Sequence, residues 1–192
     1  MNTSNLQNHL KFEFPEFEGN VRLRELILYI SQKCANDPTF GATKLNKLLF
    51  YSDFFSYFRY GEPIAGLEYQ KLPNGPAPKQ LVPVRESMVS SGDVAMQKVS
   101  FFNKQQHRCV PLRDPDLSRF KGRDIALIDE LIEGLWGKTA SEVSELSHKR
   151  AWRIAKDRES IPYQAIFLSD DDELTDAEIA HVAELNREHK WE

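Results

Sequence analysis

Cysteine is nearly absent from this chain: Cys34 and Cys109 are the only two in 192 residues, and neither belongs to a Cys-x-x-Cys pair. Disulfide-framework and structural-zinc readings therefore lose their usual support, since both need more thiols at closer spacing. Long apolar runs are missing as well. No window approaches the roughly 18 consecutive apolar residues of a membrane span, and the polar start Met1-Asn2-Thr3-Ser4-Asn5 lacks the basic-then-apolar order of a secretory signal. The expectation is a cytoplasmic protein with no membrane contact. Also lacking are a phosphate-binding Walker loop, a G-x-G-x-x-G turn, an H-E-x-x-H helix and a G-x-S-x-G elbow, so the commonest nucleotide, metalloprotease and hydrolase signatures do not apply.

What remains is ordinary globular material, 41% hydrophobic and 28% charged, in a length that suits one domain with a real core. The formal net charge of −4 is unevenly spread. Residues 170–192 hold nine Asp and Glu against Arg187 and Lys190, which leaves a slightly basic body carrying an acidic appendage. A body so close to neutral argues against DNA binding, which draws its affinity from neutralised phosphates. The acidic run reads as a solvated face or as an acidic docking surface.

Helical periodicity dominates. Leu23, Leu26, Ile27 and Ile30 recur at three and four, predicting a helix over Val21–Ala35 that Asn36-Asp37-Pro38 stops. A second helix is expected over Lys44–Tyr60, with Thr43 as N-cap and Gly61 as C-cap. Its apolar residues cover more than one stripe, so it belongs in the middle of the domain. A short strand over Leu67–Leu72 follows, then Pro73-Asn74-Gly75-Pro76-Ala77-Pro78, which reads as a stiff exposed loop. Lys79–Ser90 reads as a helix with Pro83 in its first turn, and Val94–Ser100 with Gln106–Leu112 as a hairpin. Ile125, Leu127, Ile128, Leu131, Ile132, Leu135 and Trp136 form another helical stripe, ending at Gly137. Thr139 with Glu142, and Thr175 with Glu178, are capping boxes that open two further helices, and a short helix is expected around His148–Ala155. The fold class is α+β: a mainly helical body around a buried central helix, with a small antiparallel β-hairpin or sheet.

Chemistry is hard to place on this frame. Cys34 has no histidine near it in sequence and reads as an ordinary packed thiol. His107 and Cys109 alternate on one strand face, but two ligands do not make a metal site. His148 and Trp152, four apart, share a helical face; the pair reads as a helix-end hydrogen bond beside a core ring. A hydrolase using His148 with Glu145 is the enzymatic alternative. No catalytic residue, metal or cofactor is assigned.

The run Lys44-Leu45-Asn46-Lys47-Leu48-Leu49-Phe50-Tyr51-Ser52-Asp53, then Tyr60-Gly61-Glu62-Pro63-Ile64, then Tyr69-Gln70-Lys71-Leu72-Pro73-Asn74-Gly75-Pro76-Ala77-Pro78 resembles the signature of the Panacea domain of SocA-type antitoxins. Ala140–His148 followed by Trp152 resembles that family's C-terminal motif. Members usually carry an aromatic residue where Asn74 stands. The resemblance implies a domain over residues 21–160, flanked by an N-terminal extension (1–20) and an acidic C-terminal extension with a helix (161–192). It implies a bacterial or phage antitoxin that neutralises a co-encoded toxin by direct protein–protein binding, without catalysis. A proteolytic adaptor, engaging a protease or chaperone, is the alternative it offers. Lys44, Leu45, Lys47, Leu48, Leu49, His148 and Trp152 are its structural motif residues. For the partner surface, the rigid loop suggests Tyr69, Lys71, Asn74, Gly75, Pro76 and Pro78, and the hairpin turn suggests Phe101 and Phe102 as aromatic anchors.

Overall fold

A computed structural model describes residues 16–101, 104–147 and 155–167. Helix α1 (Glu16–Lys33) leads to α2 (Ala42–Tyr60). Two-residue strands β1 (Tyr69–Gln70) and β2 (Ala77–Pro78) precede α3 (Leu81–Ser90). The hairpin β3 (Val94–Phe101) and β4 (Lys104–Pro111) follows, then a 3₁₀ turn at Leu117–Arg119. Helices α4 (Gly122–Leu135) and α5 (Ala140–Ser147) precede β5 (Ser160–Ile161) and a second 3₁₀ turn at Tyr163–Phe167. The fold is α+β, as the sequence pattern requires. No described helix is long and apolar enough to cross a membrane.

Helix α2 is the centre. Leu45, Leu48, Leu49, Phe50, Phe54 and Tyr57 are buried in one core with Leu23, Ile27 and Ile30 of α1 and Leu127, Ile128 and Ile132 of α4. Burying a side chain of that size contributes about 1.5–3 kcal/mol before entropy is counted, which is why the apolar all-round pattern forces the helix inside. Its C-terminus follows expectation: Gly61 takes φ +74, the left-handed conformation that favours glycine, and its N–H donates to Tyr57 O at 2.9 Å. Its N-terminus does not. The N-cap is Gly41 in extended backbone, so Thr43 lies inside the first turn. The first helix likewise runs Glu16–Lys33, five residues earlier at its start than the apolar spacing indicated.

The Leu67–Leu72 strand contracts to β1, which pairs antiparallel with β2 (Tyr69 opposite Pro78) and with β5 (Tyr69 opposite Ile161), giving the order β2-β1-β5. Pro78 is tolerable there because β2 is an edge strand. The hairpin is longer than the alternation suggested, with register from Val94–Pro111 to Phe101–Lys104. It is fixed to the body at its base. Arg108 donates to the carbonyls of Cys34, Ala35 and Asp37 beyond the end of α1, at 3.2, 3.2 and 2.6 Å. Arg113 grips Glu25 of α1 through two hydrogen bonds and also reaches Asp93, which Arg24 holds from the other side.

Candidate functional site

The motif residues converge on α2, and most of them face inward. Lys44 is almost fully buried, yet each of its three protons finds an acceptor: Asp37 Oδ2 at 2.7 Å, Thr39 Oγ1 at 2.5 Å and Leu135 O at 3.0 Å. Burial acts to raise the Asp37 carboxyl, but hydrogen bonds from Lys44 and Thr39 outweigh it and hold the group below its ordinary value. The ammonium thereby ties the α1–α2 corner to the end of α4. Leu45, Leu48 and Leu49 pack in the core beside it.

Lys47, one turn further on, is solvated differently. It is fully buried, and its Nζ donates to a single acceptor, the carbonyl of Asn74, at 2.5 Å. With no carboxylate beside it, desolvation pulls the amine down to about 7. The same carbonyl accepts from Ser144 Oγ of α5 at 3.3 Å. Helix α5 is set in place by the capping box expected from sequence: Thr139 N–H donates to Glu142 Oε2 at 2.7 Å, and Glu142 N–H to Thr139 Oγ1 at 3.4 Å. Three motif segments far apart in sequence thus meet at one backbone oxygen.

A second junction forms around Asp53, also fully buried on α2. Its carboxylate receives the N–H groups of Ala65 (2.6 Å) and Leu67 (3.2 Å), and the hydroxyls of Tyr69 (3.0 Å) and Tyr163 (3.1 Å) lie against it. Those hydroxyls also lie near Leu49 O and Leu67 O, at 2.8 and 2.7 Å. Burial dominates and pushes the Asp53 carboxyl above its ordinary value despite the donors. The carboxyl joins α2, the chain leading to β1, and the 3₁₀ turn at Tyr163.

These contacts correct the expectation of an exposed loop over Pro73–Pro78. Gly75, Pro76, Ala77 and Pro78 are buried, and so is Tyr69; only the tip, Pro73 and Asn74, is exposed. The physical reason is the pairing of β2 with β1, which folds the proline-rich stretch down onto α2. At the tip Gly75 adopts φ +99, and its N–H donates to Leu72 O at 2.8 Å. That turn directs the Asn74 carbonyl inward to Lys47 and leaves the side chain outside. Among the described residues, the fold holds position 74 through its backbone carbonyl. Lys71, half-buried, donates from Nζ to Ala155 O at 2.8 Å, which fastens the returning chain to β1.

The hairpin packs on α1, α2 and α3, whereas the loop tip contacts α2 and α5. The backbone at Phe101 pairs with Lys104, while Phe102, His148 and Trp152 lie outside the described residues, as do the expected helix around His148–Ala155, apart from Ala155 itself, and the one after Thr175. Cys34 is buried, with its thiol pushed up to about 12 by burial and by the charge of Asp37, so it is no thiolate nucleophile near neutral pH. Burial also raises Cys109, whereas His107 on the same strand face is exposed. Among the described residues no group of three or more His, Cys, Asp or Glu is placed to hold a metal ion.

Sequence reasoning missed Asp37, Thr39, Asp53, Ser144 and Tyr163 as partners. A signal existed for one of them: Asp53 is a carboxylate inside an otherwise aromatic helix, and such a residue must find donors. The others announce nothing until the fold brings them together.

The family profile described as antitoxin SocA-like, Panacea domain, matches residues 45–153, more than half of the chain. The chain belongs to that family. Neither a curated protein nor a solved structure matches it. The matched stretch takes in all of α2 after its first turn, the loop and α5. It leaves outside both Asp37, which neutralises Lys44, and Tyr163, which closes the Asp53 junction of this Panacea-domain chain. In it, the motif side chains at Lys44, Lys47, Asp53 and Tyr69 serve internal contacts, and what they present to the outside is a fixed tip.

Proposed function

We propose that the protein is an antitoxin that neutralises a co-encoded toxin by direct protein–protein binding, with the Pro73–Asn74 tip at the contact. The observation that carries this reading is the arrangement at the tip: Lys47 and Ser144 hold one short turn in place by its backbone, beneath the exposed Asn74 side chain. A surface that is rigid before association loses little conformational entropy on binding, which favours a recognition role. The tip is held from three sides, by Lys47, by Ser144 and by the Leu72–Gly75 turn. Lys71 borders it, and Phe101 with Phe102 at the hairpin turn is the second proposed contact.

Co-expression with the neighbouring reading frame is the test. The neighbour alone arrests growth and the pair restores it; Asn74→Arg reduces rescue while leaving the melting temperature unchanged, because that side chain is outside the fold. A neighbour that is harmless by itself contradicts the antitoxin reading. Full rescue by Asn74→Arg contradicts the assignment of the tip.

A further inference from the structure

An aromatic patch lies at the opposite end of α2. Phe58, in its last turn, is 54% exposed, and Phe167, the last described residue, is 60% exposed. Their rings contact each other with centroids 5.6 Å apart, and Phe167 also meets the buried Tyr57 at 5.9 Å. Two phenylalanines that touch each other while exposing more than half their surface form an unfinished packing layer, since large apolar side chains normally end up covered. The rim is charge-paired: Arg59 holds Glu130, Arg123 lies 4.5 Å over the Tyr60 ring and beside Asp124, and Lys121 and Arg123 share Glu62, so three cations face three carboxylates.

The occupant is indicated by where the described chain stops. Residues 168–192 follow directly on Phe167 in the sequence. Their sequence opens a helix at the Thr175–Glu178 capping box and then places Ile179, Val182, Ala183 and Leu185 at helical spacing, with Asp176, Glu184 and Glu188 among them. Apolar surface of that kind fits two exposed rings. A linker from Leu168 to Leu174 spans at most about 25 Å, so the stripe is held near the patch at millimolar effective concentration.

We propose that residues 175–188 form an amphipathic helix seated on the Phe58–Phe167 patch of the same chain. This inference is independent of the antitoxin reading. A helix of this length is marginal in water by itself, so its amide protection depends on docking. Hydrogen–deuterium exchange on the full chain reads it directly. Amides within 176–188 exchange at least about tenfold slower in the wild type than in Phe58→Ser or Phe167→Ser, a ratio that corresponds to about 1.4 kcal/mol. Amides of α4 serve as the check that the body stays folded, and Phe167→Ser, at the margin of the fold, covers the case in which Phe58→Ser unfolds it. Ile179→Asp with Val182→Asp removes the same protection. Equal exchange in the wild type and the variants overturns the proposal. Protection that grows with protein concentration also overturns it, because a second copy is then the occupant.

Discussion

Lys44 and Lys47 lie one helical turn apart, both inside the protein, and their surroundings give them opposite consequences. Lys44 faces a carboxylate, a hydroxyl and a carbonyl, so its charge is fully matched. Lys47 has one backbone oxygen. With its amine near 7 in the folded protein and near 10.5 in the unfolded chain, the unfolded state holds a proton that the folded state lacks between those values. Stability from this group therefore rises with pH from about 7 to about 10.5, falls over the same window as pH is lowered, and levels off below about 7. Lys47→Met removes that dependence. The variant is more stable than the wild type at pH 6, by about 1–4 kcal/mol as for other buried charges replaced by apolar groups of similar size, and the gap closes towards pH 10. Urea unfolding at the two pH values measures it; a gap of the same size at both contradicts the account. The sequence marked both lysines through the family motif, but it did not distinguish them. The difference lies in partners, Asp37 and Thr39 against Asn74, that only the folded chain brings into reach.

Helices were far more legible than the loops between them. The central placement of α2 followed from Leu45 to Tyr57 being apolar all round, and the capping box at Thr139 and Glu142 is present as expected. Prolines misled. Pro76 and Pro78 suggested a stiff exposed lip, yet a proline without an N–H also suits an edge strand, and β2 is one. Local composition does not decide between these, because the pairing partner, Tyr69, is set by register. The hairpin is anchored by two arginines, Arg108 and Arg113. Arg108 reaches three carbonyls at the α1–α2 corner, so Arg108→Ala removes a charged donor from all three, although Cys34 O keeps the Asp37 N–H and Asp37 O keeps the Phe40 N–H. The expected cost is about 1–3 kcal/mol, together with faster amide exchange across β4 than across α4. Uniform acceleration in both would show that the hairpin is not separately anchored.

Taken whole, the molecule is a scaffold whose motif side chains are directed inward. Lys44 closes the top of the helical layer, Asp53 with Tyr69 and Tyr163 closes the other side, and Lys47 holds the turn between them. Such an arrangement presents an ordered surface and leaves the Asn74 side chain on the exterior. The most direct measurement is calorimetric titration of the purified protein with the product of the neighbouring reading frame. A stable complex with Kd below about 1 μM, about −8.2 kcal/mol or better, weakened by Asn74→Arg at unchanged melting temperature, is the expected result. Two folded proteins that show no binding, while the pair still restores growth, would contradict neutralisation by direct contact.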